Sequence, residues 1–148
     1  MKVRGAPAIA IVAALSLAVE IHKLNNQTES ARSVRDFVWE RLEYLKTSRP
    51  TAVNLGDAVG KLKIVAEKAE KAEKTGGSDG GTVASSYIAA AERMLVDDVK
   101  DNEAIGKHGA IWIKEHTKAG MRRGQGDGDL KVITHCNTGS VDCAALSS

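Results

Sequence analysis

The chain has 148 residues, and its 43% hydrophobic and 27% charged residues are typical of a folded globular protein rather than a disordered one. The formal net charge is only +2 and the basic residues are spread along the chain, so the charge balance predicts neither nucleic acid nor an acidic membrane as a partner. Two cysteines, Cys136 and Cys143, make no disulfide framework, which favours a reducing, cytosolic compartment.

The N-terminal segment allows two interpretations. A basic start, an apolar run over residues 8–19 and small residues at positions 16 and 18 form the outline of a secretory signal peptide. Alternatively, residues 7–24 form a helix that is apolar on nearly all sides and central in the core, beginning at Pro7, where a proline is tolerated. Composition alone favours neither interpretation over the other. The motifs described below favour the buried helix.

Two amphipathic helices are predicted next, over residues 29–46 and over about 51–74. Pro50 separates them, because the residue before a proline avoids helical geometry. Charges of alternating sign over 67–74 indicate a solvated face. The apolar positions recur at three- and four-residue spacing and comprise Val34, Phe37, Val38, Leu42 and Leu45 in the first helix and Ala52, Leu55, Val59, Leu62 and Ala66 in the second.

A glycine-rich loop over 75–82 precedes the last helical region. It comes after no predicted strand and lacks a Gly-Lys-Ser/Thr ending, so it is not expected to be a phosphate-binding P-loop. A helix is predicted over 83–100, and residues 102–116 form a further helix or its continuation. The positions available to pack in the former are Tyr87, Ala91, Met94, Leu95 and Val99, and the apolar and small face of the latter comprises Ile105, Gly106, Gly109, Trp112 and Ile113.

The pattern changes after residue 117. Residues 118–129 are polar and glycine-rich, as in a linker, and residues 130–134 (LKVIT) form the one convincing strand, followed by a turn at 135–139. A helical domain joined to the start of an α/β domain is therefore expected. Because a single strand needs backbone partners, we expect the chain to be cut off where a sheet begins.

Two arginine motifs precede predicted helices. In Arg4-Gly5-Ala6-Pro7 the glycine lets the backbone approach a ligand, the helix start favours an anion such as phosphate, and Arg4 can add a bidentate contact. Arg49, in Ser48-Arg49-Pro50-Thr51, can reach the same anion if the two helix starts converge. Taken separately, each motif is more simply explained as an ordinary turn.

Cys136 lies in the turn after the predicted strand, at the end where α/β folds place their ligands. Near the amides of a tight turn it can be an activated thiol, although an isolated cysteine is often a small packing residue. His135 beside it makes no zinc pattern, since four ligands at recognisable spacing are missing. The other histidines, His22, His108 and His116, are expected at the surface or as cap residues.

Four segments together resemble the methylthioribose-1-phosphate isomerases: VRGAPAIAIVAALSLAVEI, TSRPTAVNL, MLVDDVKDNEAIGKHGA and VITHCNTG, in that order over residues 1–140. The resemblance implies a helical N-terminal domain over 1–117, a linker over 118–129, and the first strand of a truncated Rossmann-like catalytic domain over 130–148. It also implies isomerisation of methylthioribose-1-phosphate to methylthioribulose-1-phosphate in methionine salvage, in a cytoplasmic and also nuclear homodimer that binds neither nucleic acid nor membrane.

The resemblance also assigns residues. Arg4, Gly5, Ala6 and Arg49 become substrate contacts, and Cys136 becomes the catalytic thiol, working with an aspartate found later in the family's chains. Neither a metal nor an organic cofactor is implied. Because the family's chains are more than twice as long and continue differently after residue 139, we expect this chain to be an inactive truncated form.

Three alternatives remain open. The related regulatory subunits of the guanine-nucleotide exchange factor of translation initiation would make the chain non-catalytic, and the related ribose-1,5-bisphosphate isomerases would change its sugar. The arginine motifs and Cys136 favour the first isomerase over the regulatory subunits. A third alternative is a secreted or membrane-targeted protein from which residues 1–18 are cleaved.

Overall fold

The computed structural model describes residues 3, 5–24, 29–73 and 79–116. These residues form four helices and no strand: α1 (Ala6–Lys23), α2 (Ala31–Thr47), α3 (Val53–Glu73) and α4 (Gly80–His116). The predicted helical character of this part of the chain is thereby confirmed, and 102–116 continues the fourth helix without a break. The chain divides into two compact units, Met1–Val96 and Asp97–Ser148.

Side-chain hydrogen bonds fix the ends of the helices. The hydroxyl oxygen of Ser30 caps α2 by accepting a hydrogen bond from the backbone amide of Ser33. This bond gives a partner to one of the amides of the first turn that have none within the helix. The hydroxyl of Ser48 donates to the carbonyl of Leu45 at the other end of α2. Asp79 accepts from the amide of Gly81 at the start of α4. These caps explain why α2 begins two residues later than predicted and why α4 begins three residues earlier.

The core of the first unit is aliphatic, as expected of a chain with 3% aromatic residues. The predicted stripes of α2 and α3 face one another there, and α2 and α3 run antiparallel, since Arg35 pairs with Glu70 while Glu43 pairs with Lys63. The buried residues of this core are Ala14, Leu17, Ala18, Ile21, Ala31, Val34, Val38, Leu42, Leu55, Val59, Leu62, Ala66, Ala69, Val83, Ala84, Tyr87 and Ala91.

Helix α1 is amphipathic in its packing rather than buried all round. Its buried face includes Leu17 and Ile21, each 1% exposed, whereas Val12 and Val19 are 46% and 55% exposed. The predicted place of α1 in the core is therefore confirmed for one face, whereas burial of its whole apolar surface is not. By length and composition alone α1 could cross a membrane, a property shared by core helices of soluble proteins and by signal sequences. One third of this apolar window is buried within the first unit.

Helix α4 departs from its predicted stripe. Tyr87 and Ala91 are buried as expected, but Leu95 and Val99 are half-exposed, because the core ends near Met94. The prediction that Leu95 and Val99 pack was wrong. The predicted linker, the strand at 130–134 and the turn after it lie outside the described residues, so the boundaries at 117 and 130 remain predictions.

Candidate anion-binding turns and the family match

Gly5 stands immediately before α1 in a conformation that only glycine adopts easily. Its φ is 89° and its ψ is 133°, and its carbonyl accepts the first helical hydrogen bond, from the amide of Ile9 at 3.0 Å. Pro7 lies in the first helical turn, where its missing N–H costs nothing. The glycine of the predicted motif therefore has a physical reason, because a side chain at this position would strain the backbone.

The start of α1 has the electrostatic character that an anion requires. Its first turn contains no acidic residue, so no carboxylate in that turn neutralises the partial positive charge of the free amides. Ala6, the first helical residue, is exposed. A small exposed residue leaves the amides accessible, and the substrate-contact roles predicted for Gly5 and Ala6 remain predictions that this geometry permits.

Arg49 lies in the turn between α2 and α3, as predicted. Its amide donates to the carbonyl of Lys46 at 3.3 Å, and its own carbonyl accepts from the amide of Ala52 at 3.0 Å. The turn backbone is thus tied to both helices, which holds the base of the arginine side chain in one place. The residue is exposed, and α3 begins only four residues later, with no acidic residue in its first turn.

A cation–aromatic cluster that sequence analysis missed links α2 to α3. The Lys63 ammonium lies 4.8 Å from the centroid of the Trp39 ring, and Arg35 lies 5.3 Å from the centroid of the same ring. Lys63 also donates a hydrogen bond to Glu43, and this bond, together with the charge of Lys63, lowers the pKa of Glu43. In the sequence, the one feature that could have indicated this cluster is the four-residue spacing of Arg35 and Trp39, which places both on one face of α2.

The remaining predicted site residues, Arg4 and Cys136, lie outside the described residues. The convergence of Arg4, Arg49 and Cys136 on one anion therefore stays a prediction. The expectation for the three other histidines is confirmed, since His22, His108 and His116 are all exposed. Over the described ranges, the His, Cys, Asp and Glu side chains form no group of three that could hold a metal ion.

Comparison with known proteins identifies the family. The sequence pattern of the Initiation factor 2 subunit family matches residues 2–147, nearly the whole chain. The chain belongs to the Initiation factor 2 subunit family. The match includes α1, so this apolar helix is part of the family's domain. Membership in the Initiation factor 2 subunit family thus favours the core-helix interpretation of the N-terminal segment over a signal peptide.

Several curated proteins share about half of the residues of the chain. A methylthioribose-1-phosphate isomerase of Pyrenophora tritici-repentis is 54% identical over 148 residues, which is all of this chain and 36% of that protein. Proteins of the same name from Aspergillus terreus and Oryza sativa subsp. indica are 51% and 49% identical, over 95% and 100% of this chain and 36% and 37% of their own lengths. The chain therefore spans about a third of the curated relatives it matches, and the resemblance seen in its motifs is confirmed.

Proposed function

We propose that this chain supplies the helical N-terminal part of a methylthioribose-1-phosphate isomerase, which converts an aldose 1-phosphate into its ketose isomer in methionine salvage. The observation that carries the proposal is the identity of 49–54% along the whole chain with relatives of that name. The matched region includes both arginine motifs and the Cys136 turn. Because the chain spans about a third of those relatives, the activity belongs to a polypeptide that also contains the rest of the family's fold.

We infer that the residues of this site have separate roles, and the conformation of Gly5 supports the first of them. The amides at the start of α1, opened by the conformation of Gly5, bind the substrate phosphate, and Arg4 and Arg49 complete its charge neutralisation. Cys136 comes after the first strand of a Rossmann-like domain and moves a proton between the first two carbons of the opened sugar. An aspartate supplied by the remainder of the fold is its partner, since proton transfer in both directions needs two groups of different proton affinity.

The remaining expectations are part of the same proposal. A sugar phosphate is the small-molecule partner, and the complete protein is a cytoplasmic and nuclear homodimer that binds neither nucleic acid nor membrane. The small net charge of +2 supports the absence of a nucleic-acid partner. The family match over α1 supports retention of the N-terminal segment in the mature protein.

A chimera tests the proposal. The matching N-terminal segment of the Pyrenophora isomerase is replaced by residues 1–148, and conversion of methylthioribose-1-phosphate is measured beside the parent enzyme. We expect kcat/KM within about tenfold of the parent, because about half of the residues are already shared and the proposed contacts are retained. Circular dichroism and gel filtration of both proteins establish that the chimera folds.

Two outcomes favour other functions. A folded chimera without turnover of any sugar phosphate would contradict the proposal and favour the regulatory alternative. That alternative agrees with the description of the family as one of initiation factor subunits. A folded chimera that prefers ribose-1,5-bisphosphate to methylthioribose-1-phosphate would identify the other isomerase. Because the C-terminal remainder is identical in chimera and parent, either difference is due to residues 1–148.

A further inference from the structure

The cation–aromatic cluster between α2 and α3 has no part in the proposed mechanism. It comprises Arg35, Trp39 and Glu43 of α2 and Lys63 and Glu70 of α3. The cationic groups of Arg35 and Lys63 both lie over the Trp39 ring, 5.3 Å and 4.8 Å from its centroid. The indole N–H of Trp39 is buried and has no hydrogen-bond partner among the described residues, so the cluster holds this ring through its face.

Two ion pairs cross from α2 to α3 around the ring. The Nε atom of Arg35 lies 3.4 Å from a carboxylate oxygen of Glu70, and both side chains are only 18% exposed. Lys63, whose side chain is 20% exposed, pairs with Glu43. Such partly buried pairs add little net stability, because the loss of hydration opposes the attraction between the charges. Their directional contacts instead favour one register of the two helices over others.

The apolar contacts between α2 and α3 define that register less sharply. In both helices the buried side chains are aliphatic and recur at three- and four-residue spacing. Because the hydrophobic effect is non-directional, a slide of α3 by one helical turn would again place aliphatic side chains opposite one another. The same slide, about 5.4 Å, would separate both ion pairs. The cluster is therefore the part of this interface that distinguishes one register from the next.

We propose that the cation–aromatic cluster positions Arg49 for the substrate phosphate. Arg49 lies in the turn that joins α2 to α3. Its amide donates to the carbonyl of Lys46 in α2, and its carbonyl accepts from the amide of Ala52, immediately before α3. A shift of α3 along α2 therefore moves the base of the Arg49 side chain. The inference rests on the proposed function, because the phosphate contact of Arg49 is taken from it.

Lys63 is the positioning residue that a single substitution tests best. It contacts both the Trp39 ring and the Glu43 carboxylate, so its removal takes away two contacts between the helices. Its pair is also the one nearer to the turn, since Glu43 precedes Arg49 by six residues and Arg35 precedes it by fourteen.

The kinetic test measures KM and kcat for methylthioribose-1-phosphate in the chimera. Lys63→Met removes the cation, whereas Lys63→Arg keeps one that can stack on a ring and pair with a carboxylate. The matched control is Lys61→Met, because the Lys61 side chain is 74% exposed and pairs with Asp57 within α3. We expect Lys63→Met to raise KM by about fivefold or more and to leave kcat within about twofold, because the phosphate keeps its charge throughout the isomerisation. Lys63→Arg and Lys61→Met should leave both constants within about twofold of the unsubstituted chimera.

A double-variant cycle separates positioning from a general structural role. If Lys63 acts through Arg49, Lys63→Met should change KM by less than about 1.5-fold in a chimera that already carries Arg49→Ala. A general structural defect would instead lower kcat and would act independently of Arg49. Circular dichroism and the urea midpoint verify that each variant folds. If Lys63→Met unfolds, Glu43→Gln replaces it, since the Glu43 side chain is 55% exposed.

Amide hydrogen exchange in the 148-residue chain gives a readout that needs no turnover. The amide of Ala52 donates to the carbonyl of Arg49 at 3.0 Å, so Lys63→Met should make it exchange about fivefold faster or more. The amide of Ile9, at the start of α1, is the reference and should keep its rate. Lys61→Met should change neither amide.

Three results would overturn the inference. The first is a Lys63→Met variant that matches Lys61→Met in KM and in the exchange of the Ala52 amide. The second is a loss of kcat at unchanged KM, and the third is a double variant in which the KM effects of Lys63→Met and Arg49→Ala multiply. An unsubstituted chimera without turnover would contradict the proposed function, and the exchange of the Ala52 amide then decides whether the cluster positions the Arg49 turn.

Discussion

The hydroxyl of Tyr87 donates a hydrogen bond to the carbonyl of Ala14, 3.3 Å away, and joins α4 to α1 in the middle of the core. Tyr87 is 0% exposed and Ala14 is 2% exposed. Because the ring is surrounded by aliphatic side chains, this bond gives the buried hydroxyl a partner that its burial requires. Burial also raises the pKa of Tyr87 well above its ordinary value of 10.0.

Tyr87→Phe should lower the free energy of unfolding by about 0.5–1.5 kcal/mol, the usual net contribution of one internal hydrogen bond. The measurement is the urea midpoint at neutral pH, with Tyr44→Phe as the control. Tyr44 is 70% exposed, so the same deletion there should change nothing measurable. Equal effects of the two substitutions would show that the bond to Ala14 does not contribute.

The pH dependence of stability in the Tyr87→Phe variant and in the unsubstituted chain tests the direction of this pKa shift. In the folded state the Tyr87 hydroxyl keeps its proton above pH 10, whereas in the unfolded state this hydroxyl ionises near pH 10. Above pH 10 the folded state therefore binds more protons than the unfolded state. Stability from this group is therefore complete below about pH 10 and is lost as the pH rises further. Tyr87→Phe should show a shallower loss of stability than the unsubstituted chain between pH 10 and 11, while a steeper loss would contradict the assignment.

Lys63→Met should raise the pKa of Glu43 back towards its ordinary value of 4.5, because the hydrogen bond and the charge that lower it are removed. The carboxyl carbon shift of Glu43, followed by NMR as a function of pH, measures this change directly. Lys61→Met is the matched control, since Lys61 pairs with Asp57 at 2.7 Å and does not contact Glu43. A Glu43 titration that is the same in both variants would refute the pairing.

Gly5→Ala and Gly56→Ala should have opposite effects on stability. At Gly5 the positive φ of 89° strains any L side chain, so we expect a loss of about 1–3 kcal/mol. Gly56 lies in α3 with nothing within 4 Å of a built Cβ, so alanine should stabilise by about 0.4–1 kcal/mol. Thermal unfolding of the two variants checks both signs, and a neutral Gly5→Ala would show that α1 does not need this conformation.

How much the sequence revealed depends on the range of each interaction. The stripe of Val34, Val38 and Leu42 was predictable, because helical periodicity is local and α2 buries one face. The contact of Tyr87 with Ala14 was not, since it joins residues 73 apart and no local pattern encodes it.

The same distinction applies to the candidate site. Gly5 and the Arg49 turn were predictable, because a glycine before a proline-started helix and an X-Pro break have local signatures. The bond between Lys63 and Glu43 depends on the register of two packed helices, which only the tertiary structure reveals.

Arg49→Ala in the chimeric isomerase should raise KM for methylthioribose-1-phosphate by roughly tenfold to a hundredfold, since one hydrogen bond to a charged group contributes about 1.5–3 kcal/mol. Arg32→Ala is the control, because the Arg32 side chain is 78% exposed on α2 and pairs only weakly, at 4.0 Å, with Asp36. If the two substitutions change KM equally, the phosphate contact proposed for Arg49 is wrong.

The most direct test of the central claim is kcat for methylthioribose-1-phosphate in two cysteine variants of the chimera. Cys136→Ser removes the proposed proton-transferring thiol and should lower kcat by about 10²–10⁴-fold, the usual contribution of a positioned acid–base group. Cys143→Ser, seven residues further along the chain, should retain kcat within about twofold of the unsubstituted chimera, because no role in proton transfer is assigned to it. A Cys136→Ser chimera that turns over as fast as the Cys143→Ser chimera would contradict the account.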